Sequence, residues 1–257
     1  MIDTHCHLFD NAYNADRAEV VARAQAVGVT HLLMPNVDRS TYPAMMRTAE
    51  KFFSECSPMV GIHPTSITAT SVEEELRFVR RELEAQPAGT FVALGEVGID
   101  CYWSKEFLSE QIYAFEEQLR LAEKYRLPVV IHARDSFNEI LEVLRRLRPN
   151  IKGVFHAYSS SLETYREIKK LGDYKLGIGG VVTFKNSKLP EVVQQIPLSD
   201  VLLETDAPYL APTPYRGKRN ESSYLTLIAQ KIAELKGVSV EEVDEATTEN
   251  AKKMFEL

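Results

Sequence analysis

Short apolar runs alternate with amphipathic stretches along the whole of this 257-residue chain, and the alternation repeats eight times. The strand-like runs are residues 1–5, 30–35, 58–63, 90–96, 128–132, 152–156, 174–178 and 201–206. Between them, sets such as Ile112, Phe115, Leu119 and Ala122, or Ile140, Leu144 and Leu147, recur every three or four residues and share one helix face. Strict strand–helix alternation makes neighbouring strands parallel. Eight such units, in a chain near the roughly 250 residues typical of the fold, close into a (β/α)8 TIM barrel. With no linker, low-complexity run or charge block to divide it, residues 1–257 read as a single domain. An open doubly wound sheet is the rival. It would carry a glycine-rich phosphate turn after the first strand, where this chain has His5-Cys6-His7.

Helix starts are marked by S-x-x-E capping boxes at Ser71/Glu74, Ser136/Glu139, Ser160/Glu163 and Ser239/Glu242, each able to satisfy first-turn backbone donors. After the eighth run comes a Pro-rich basic loop, 211–219. It leads to a helix bearing Leu225, Ile228, Ile232 and Leu235, and a last helix covers about 240–255.

In such a barrel the active site lies at the carboxyl ends of the strands. His5 and His7, two apart on a strand, point the same way and can grip one cation. Glu96, His132, His156 and Asp206 close the fourth, fifth, sixth and eighth runs. The chain holds six histidines, so four of them at these positions is a pattern rather than scatter. Six donors exceed what one catalytic zinc takes, and they suit two metals bridged by a carboxylate. Glu96 is the natural bridge, with His5, His7 and Asp206 on one side and His132 and His156 on the other. Glu96 and Asp206 are therefore the expected catalytic carboxylates, and Asp206 is the one expected to orient the attacking water.

His63 ends the third run and is expected to contact substrate. Glu204, one layer below Asp206, is placed to hydrogen-bond a ligating imidazole from behind. Arg134 suits a phosphate oxygen or a surface ion pair, and Tyr102 and Trp103 either stack a base or pack under neighbouring loops. His31 begins a strand at the far end and reads as structural. The Arg216-Gly217-Lys218-Arg219 cluster reads as a solvated loop before a helix, with phosphate attraction as the alternative.

A net charge of −7 argues against non-specific nucleic-acid binding, although bound cations would add charge that the count omits. Three scattered cysteines exclude a disulfide framework or a cysteine-rich zinc site. They fit a reducing compartment, and the chain opens in a strand without a signal-peptide pattern, so the expected location is cytoplasmic. No apolar run is long enough to cross a bilayer.

With those residues placed, the sequence resembles the TatD family of metal-dependent deoxyribonucleases among the amidohydrolase-like barrels. The shared motifs are Ile2-Asp-Thr-His5-Cys-His7, Gly61-Ile-His63-Pro, Gly95-Glu96-Val-Gly-Ile-Asp100, Pro128-Val-Val-Ile-His132-Ala-Arg134 and Leu203-Glu-Thr-Asp206-Ala-Pro208. Phe155-His156-Ala-Tyr-Ser159 is similar to a further family signature, with Ser160 where glycine is usual. The resemblance spans residues 1 to about 255. It implies a divalent-metal nuclease (Mg, Mn or Zn) acting 3'-5' as an exonuclease on single-stranded DNA. His5, His7, Glu96, His132, His156 and Asp206 fall on the family's metal positions. The chain departs at Arg219-Asn-Glu221-Ser222, where members often have proline after the glutamate, and the change is expected to loosen the start of that helix.

Two rivals stand beside this reading. One is a binuclear amidohydrolase-type enzyme acting on amides, lactones or small phosphoesters. Many of these bridge their metals through a lysine on the fourth strand, where this chain offers Glu96. The other is a non-catalytic metal-binding barrel, whose mark would be a broken donor set. A monomer, with DNA as substrate partner and no membrane association, completes the expectation.

Overall fold

A computed structural model describes all residues, 1–257, as an α/β barrel. Its strands are β1 (Ile2–Asp3), β2 (His31–Met34), β3 (Cys56–Pro58), β4 (Leu94–Asp100), β5 (Val129–Arg134), β6 (Gly153–Phe155), β7 (Tyr174–Ile178) and β8 (Val201–Leu203). The helices are α1 (Arg17–Ala26), α2 (Tyr42–Lys51), α3 (Val72–Ala85), α4 (Leu108–Tyr125), α5 (Phe137–Leu147), α6 (Leu162–Lys169), α7 (Leu189–Gln195), α8 (Leu225–Lys236) and α9 (Val240–Phe255). All ladders are parallel, β1-β2-β3 and β4-β5-β6-β7-β8. Two seams close the ring. Val60 bridges to Leu94 between β3 and β4, and Cys6 to Ala207 between β8 and β1. At the second seam His7 N–H donates to Ala207 O at 2.7 Å and Asp206 N–H to His5 O at 2.9 Å. Residues about 200 apart in sequence are thereby backbone neighbours.

The inward residues at the amino-terminal end are Ile2, Leu33, Met59, Ala93, Val130, Val154 and Leu202, all buried. Ala251, Met254 and Phe255 of α9 pack onto them, so the last helix closes the bottom of the barrel. A larger cluster of 58 buried residues joins the strands to the surrounding helices, including Phe115, Leu119 and Ala122 along one face of α4. No helix is long and apolar enough to cross a membrane.

The strand expected at 90–96 begins later and runs on to Asp100. Glu96 thus lies within β4 rather than at its end. The register skips it, since Gly95 pairs with Val130 and Val97 with Ile131, leaving Glu96 as the extra residue of a bulge. A bulge re-aims its side chain, and this one turns Glu96 toward the barrel mouth. Conversely, β3 covers only 56–58, and His63 stands beyond it on a short 3-10 turn, where His63 caps Thr65.

Of the four capping boxes only Ser239/Glu242 forms. Ser161, not Ser160, caps α6. The Ser136 hydroxyl donates to Ile99 O at 2.5 Å, and that of Ser71 donates to Ser66 O at 3.0 Å and accepts from Thr68 N–H at 2.9 Å. These bonds hold both side chains in place of the reciprocal cap.

The Arg219-Asn220-Glu221 segment is a brace. Arg219 makes two bonds of 2.7 Å to Asp16, and Arg23 grips Glu221. Asn220 donates to Thr205 O and Tyr209 O, on both sides of Asp206. The helix start expected to be loosened by Ser222 is instead tied by the Arg23–Glu221 pair and a Ser223–Glu221 bond of 2.5 Å. Arg219 is therefore tied into this brace rather than free in a solvated loop. Arg219→Ala should lower the thermal midpoint by the small amount that a partly exposed ion pair contributes. A melting curve checks it, and an unchanged midpoint would show the brace to be idle.

Candidate metal centre

His5 and His7 follow β1, His132 sits in β5, and His156 and Asp206 lie just past β6 and β8. Parallel strands bring these ends to one mouth. Glu96 is at the centre, with its two oxygens facing different groups. Oε2 lies 3.2 Å from His5 Nε2 and 3.8 Å from His7 Nε2. Oε1 lies 2.8 Å from His132 Nδ1, 3.5 Å from His63 Nε2 and 3.8 Å from His156 Nε2. Asp206 Oδ1 stands 3.5 Å from His7 Nε2, 3.7 Å from His156 Nε2 and 3.8 Å from His5 Nε2. His156 stacks on His5 with ring centroids 3.4 Å apart, so it lies between the two groups rather than wholly in one.

Burial separates floor from mouth. The side chains of His5 and Glu96 are 0% and 3% exposed, whereas those of Asp206, His63 and His132 reach 14%, 15% and 16%. The latter three are the most open to a small reactant.

The rings' outer partners decide which nitrogen carries a lone pair. His132 Nε2 faces Asp100 Oδ2 at 2.9 Å, which leaves Nδ1 turned to Glu96. His156 Nδ1 is 3.0 Å from Glu204 Oε1, off the hydrogen-bond axis but at ion-pair distance, which leaves Nε2 inward. Glu204 fits there because Gly177 has no side chain: a Cβ on Gly177 would lie 2.0 Å from Glu204 Oε2. His63 is held differently. Thr65 N–H donates to its Nδ1 at 3.2 Å and Thr65 Oγ1 lies 2.6 Å from the same nitrogen, while Nε2 faces Glu96 and His132.

Charge balance follows. Burial opposes ionisation of Glu96, but His63, His5 and His156 outweigh it and hold the carboxyl well below its usual range. Burial likewise opposes charge on His156. Glu204, Glu96 and Asp206 prevail and push its pKa up to about 10. Burial and the nearby His156 hold His5 below its ordinary value.

The centre is incomplete as protein alone. His5 Nδ1 and Nε2, His7 Nδ1 and Glu204 Oε2 are buried without a hydrogen-bond partner. Such orphaned atoms are costly unless something else satisfies them. Three groups could hold a divalent ion: His5, His7 and Asp206; His5, Glu96 and His156; and His63, Glu96 and His132. Imidazole and carboxylate together suit zinc-like and harder divalent metals.

Around the mouth, Tyr102 and Trp103 are 52% and 69% exposed. The Arg134 guanidinium lies 3.6 Å over the Tyr102 ring and 5.3 Å from that of Trp103. Arg134 thus covers Tyr102 and leaves Trp103 open. Beside them is a cavity of about 710 Å³, bordered by Lys105, Arg134, Asn138, Ser159 and Ser160. Arg216 lies over Phe184 at 4.0 Å. His31 Nε2 is 2.8 Å from Ser57 Oγ, at the opposite end of the barrel.

Sequence reasoning passed over Asp100. Its only signal was its place at the end of the Gly95–Asp100 motif.

A family model described as TatD related DNase matches residues 2–256. The uncharacterized metal-dependent hydrolase YabD of Bacillus subtilis is 39% identical over 259 residues, covering 100% of this chain and 99% of the relative. The crystal structure of YjjV, a TatD homologue from Escherichia coli, superposes with a TM-score of 0.93 at 29% identity, covering 100% of this chain and 98% of that one. An uncharacterized amidohydrolase from Saccharomyces cerevisiae shares the fold, with a TM-score of 0.87 at 18% identity over 99% of both chains.

Proposed function

Because this chain belongs to the TatD-related DNase family and is a metal-dependent hydrolase, we propose that it cleaves phosphodiester bonds of single-stranded DNA from the 3' end, using two divalent metals. The observation that carries the reading is Glu96, whose two oxygens each face a separate set of imidazoles. On this reading His5, His7 and Asp206 would hold one ion and His132 and His156 the other, with Glu96 shared between them. Such a pair would supply Lewis-acid polarisation of the phosphate and a lowered water pKa.

The chain's own groups do the rest. Asp206, ionised and open to solvent, orients the attacking water and accepts its proton. His63, whose Nε2 faces the centre, would donate to a phosphate or leaving oxygen, in keeping with the substrate-contact role read from the sequence. Glu204 holds His156 from behind. Arg134 offers its charge to a phosphate from its seat on Tyr102, and Trp103 presents a face to a base. The three cysteines, all free and buried, suit a reducing cytoplasmic setting.

End-labelled single- and double-stranded oligonucleotides, incubated with Mg²⁺, Mn²⁺ or Zn²⁺ and with EDTA, test the reading. Stepwise loss from the 3' end of single strands, abolished by EDTA, is the expected result. Turnover of amides or lactones but not of oligonucleotides would replace it with the amidohydrolase reading. In the same assay Trp103→Ala should lower kcat/KM on oligonucleotides by about 5- to 150-fold, the equivalent of one lost stacking contact of about 1–3 kcal/mol. A nitrophenyl phosphodiester, which has no base to stack, should be unaffected. An equal loss on both substrates would make Trp103 a loop-packing residue.

A further inference from the structure

We propose that Asp100 is a positioning residue that sets the tautomer of His132 and anchors the Tyr102–Trp103 loop to the same carboxylate. The inference rests on the reading of His132 as a metal donor. Its two oxygens divide the work. Oδ2 lies 2.9 Å from His132 Nε2, while Oδ1 accepts the backbone N–H of Tyr102 at 2.9 Å and of Trp103 at 3.2 Å. The residue itself is fixed. Asp100 is 2% exposed, and its own N–H donates to the buried Gln111 side chain at 2.8 Å. Its neighbour in the β4–β5 ladder is Arg134, the residue that covers Tyr102.

A carboxylate only accepts, so the nitrogen facing it must carry hydrogen. His132 Nδ1 also faces an acceptor, Glu96 Oε1 at 2.8 Å, so the metal-free ring is held between two carboxylates. With hydrogen kept on Nε2 by Asp100, Nδ1 is the nitrogen that would give up its hydrogen to a metal, and such outer carboxylates both fix the ring and raise its basicity. Asp100 and Glu204 are then a matched pair. One acts on Nε2 of His132 and the other lies 3.0 Å from Nδ1 of His156, so the nitrogens left for metal both face Glu96 Oε1, at 2.8 and 3.8 Å. Asp100 alone also holds the aromatic loop, so the platform for a base is referenced to the ring that holds the metal. The substrate's position and the centre's geometry share one support.

Asp100→Asn separates these functions. It keeps the Oδ1 acceptor for the two loop amides and turns an NH₂ toward Nε2, which favours hydrogen on Nδ1 and removes the donor lone pair. Metal affinity, measured by chelator competition, should fall about 10- to 100-fold. Two-bond ¹⁵N–¹H spectra of the metal-free protein should show hydrogen on His132 Nε2 in the wild type and its loss from Nε2, with hydrogen only on Nδ1 toward Glu96, in Asp100→Asn. Trp103 is the only tryptophan in the chain. Acrylamide quenching of its fluorescence should stay as in the wild type in Asp100→Asn and rise in Asp100→Ala, which frees the loop as well. Wild-type affinity, or hydrogen retained on Nε2, in Asp100→Asn overturns the tautomer assignment. Unchanged quenching in Asp100→Ala overturns the loop anchor. His132→Ala serves as the control for the underlying reading: undiminished metal affinity there would remove His132 as a donor, whereas loss there beside a wild-type Asp100→Asn refutes Asp100 alone.

Discussion

If the centre holds two ions as proposed, Glu96→Gln should reduce bound metal toward one per chain and lower hydrolysis by more than about 10³-fold. Gln has the same shape, so the bulge in β4 and the packing around it are preserved. What changes is charge. Glu96 is 3% exposed at the side chain and faces five imidazoles, with His5 and His7 on one oxygen and His63, His132 and His156 on the other. An amide cannot present an anionic oxygen to both groups, and its NH₂ would point at lone pairs that are meant for a cation. A Lewis-acid centre is worth several kcal/mol of transition-state stabilisation. About 4 kcal/mol corresponds to roughly 10³ in rate. Elemental analysis gives the stoichiometry and a melting curve the integrity of the fold. Two ions and full rate in a folded Glu96→Gln protein would show that the carboxylate does not bridge.

Much of this centre was legible because a parallel barrel converts sequence position into location. The ends of the first, fifth, sixth and eighth strands share one mouth, so His5, His7, His132, His156 and Asp206 could be gathered from periodicity alone. Glu96 was found for an incomplete reason. It stands at the end of an apolar run, yet β4 continues four residues past it, and a bulge turns it inward. A period-two pattern cannot reveal one unpaired residue. Asp100 went unread for a related reason: an aspartate before a loop is ordinary, and its meaning arises only when β4 and β5 pair in register and bring it to His132. Arg219 shows the converse limit. Its cluster read as a solvated loop, with phosphate attraction as the alternative, but its partner Asp16 is 203 positions away, and a surface cation's partner is invisible in sequence. The hold on His63 likewise depends on the turn that brings Thr65 N–H to Nδ1, not on the identity of any neighbour.

Asp206→Asn should cost about 10²–10⁴-fold in rate, the usual range for losing positioned acid–base assistance, while leaving the fold intact. The geometry favours a clean comparison. Asp206 has φ of 56°, in the left-handed region that Asp and Asn both tolerate, so the backbone should not shift. Its N–H still donates to His5 O at 2.9 Å in the seam that closes the barrel. Burial opposes the charge on Asp206, yet His156, His7 and His5 outweigh it and hold the carboxyl below its ordinary value, so it is ionised near neutrality. At 14% exposure it is the only carboxylate among the six donors that solvent reaches, since Glu96 is 3% exposed. An amide in its place can still orient a water through its oxygen but can no longer take up a proton. If proton acceptance matters only in the transition state, kcat and kcat/KM should fall together while KM stays near its original value. A rise in KM alone, with kcat within about threefold, would instead mark uniform binding. Asp206 would then hold an ion or substrate without entering the chemistry, and the proton would have to leave through His63 or His132, the other two groups open at the mouth.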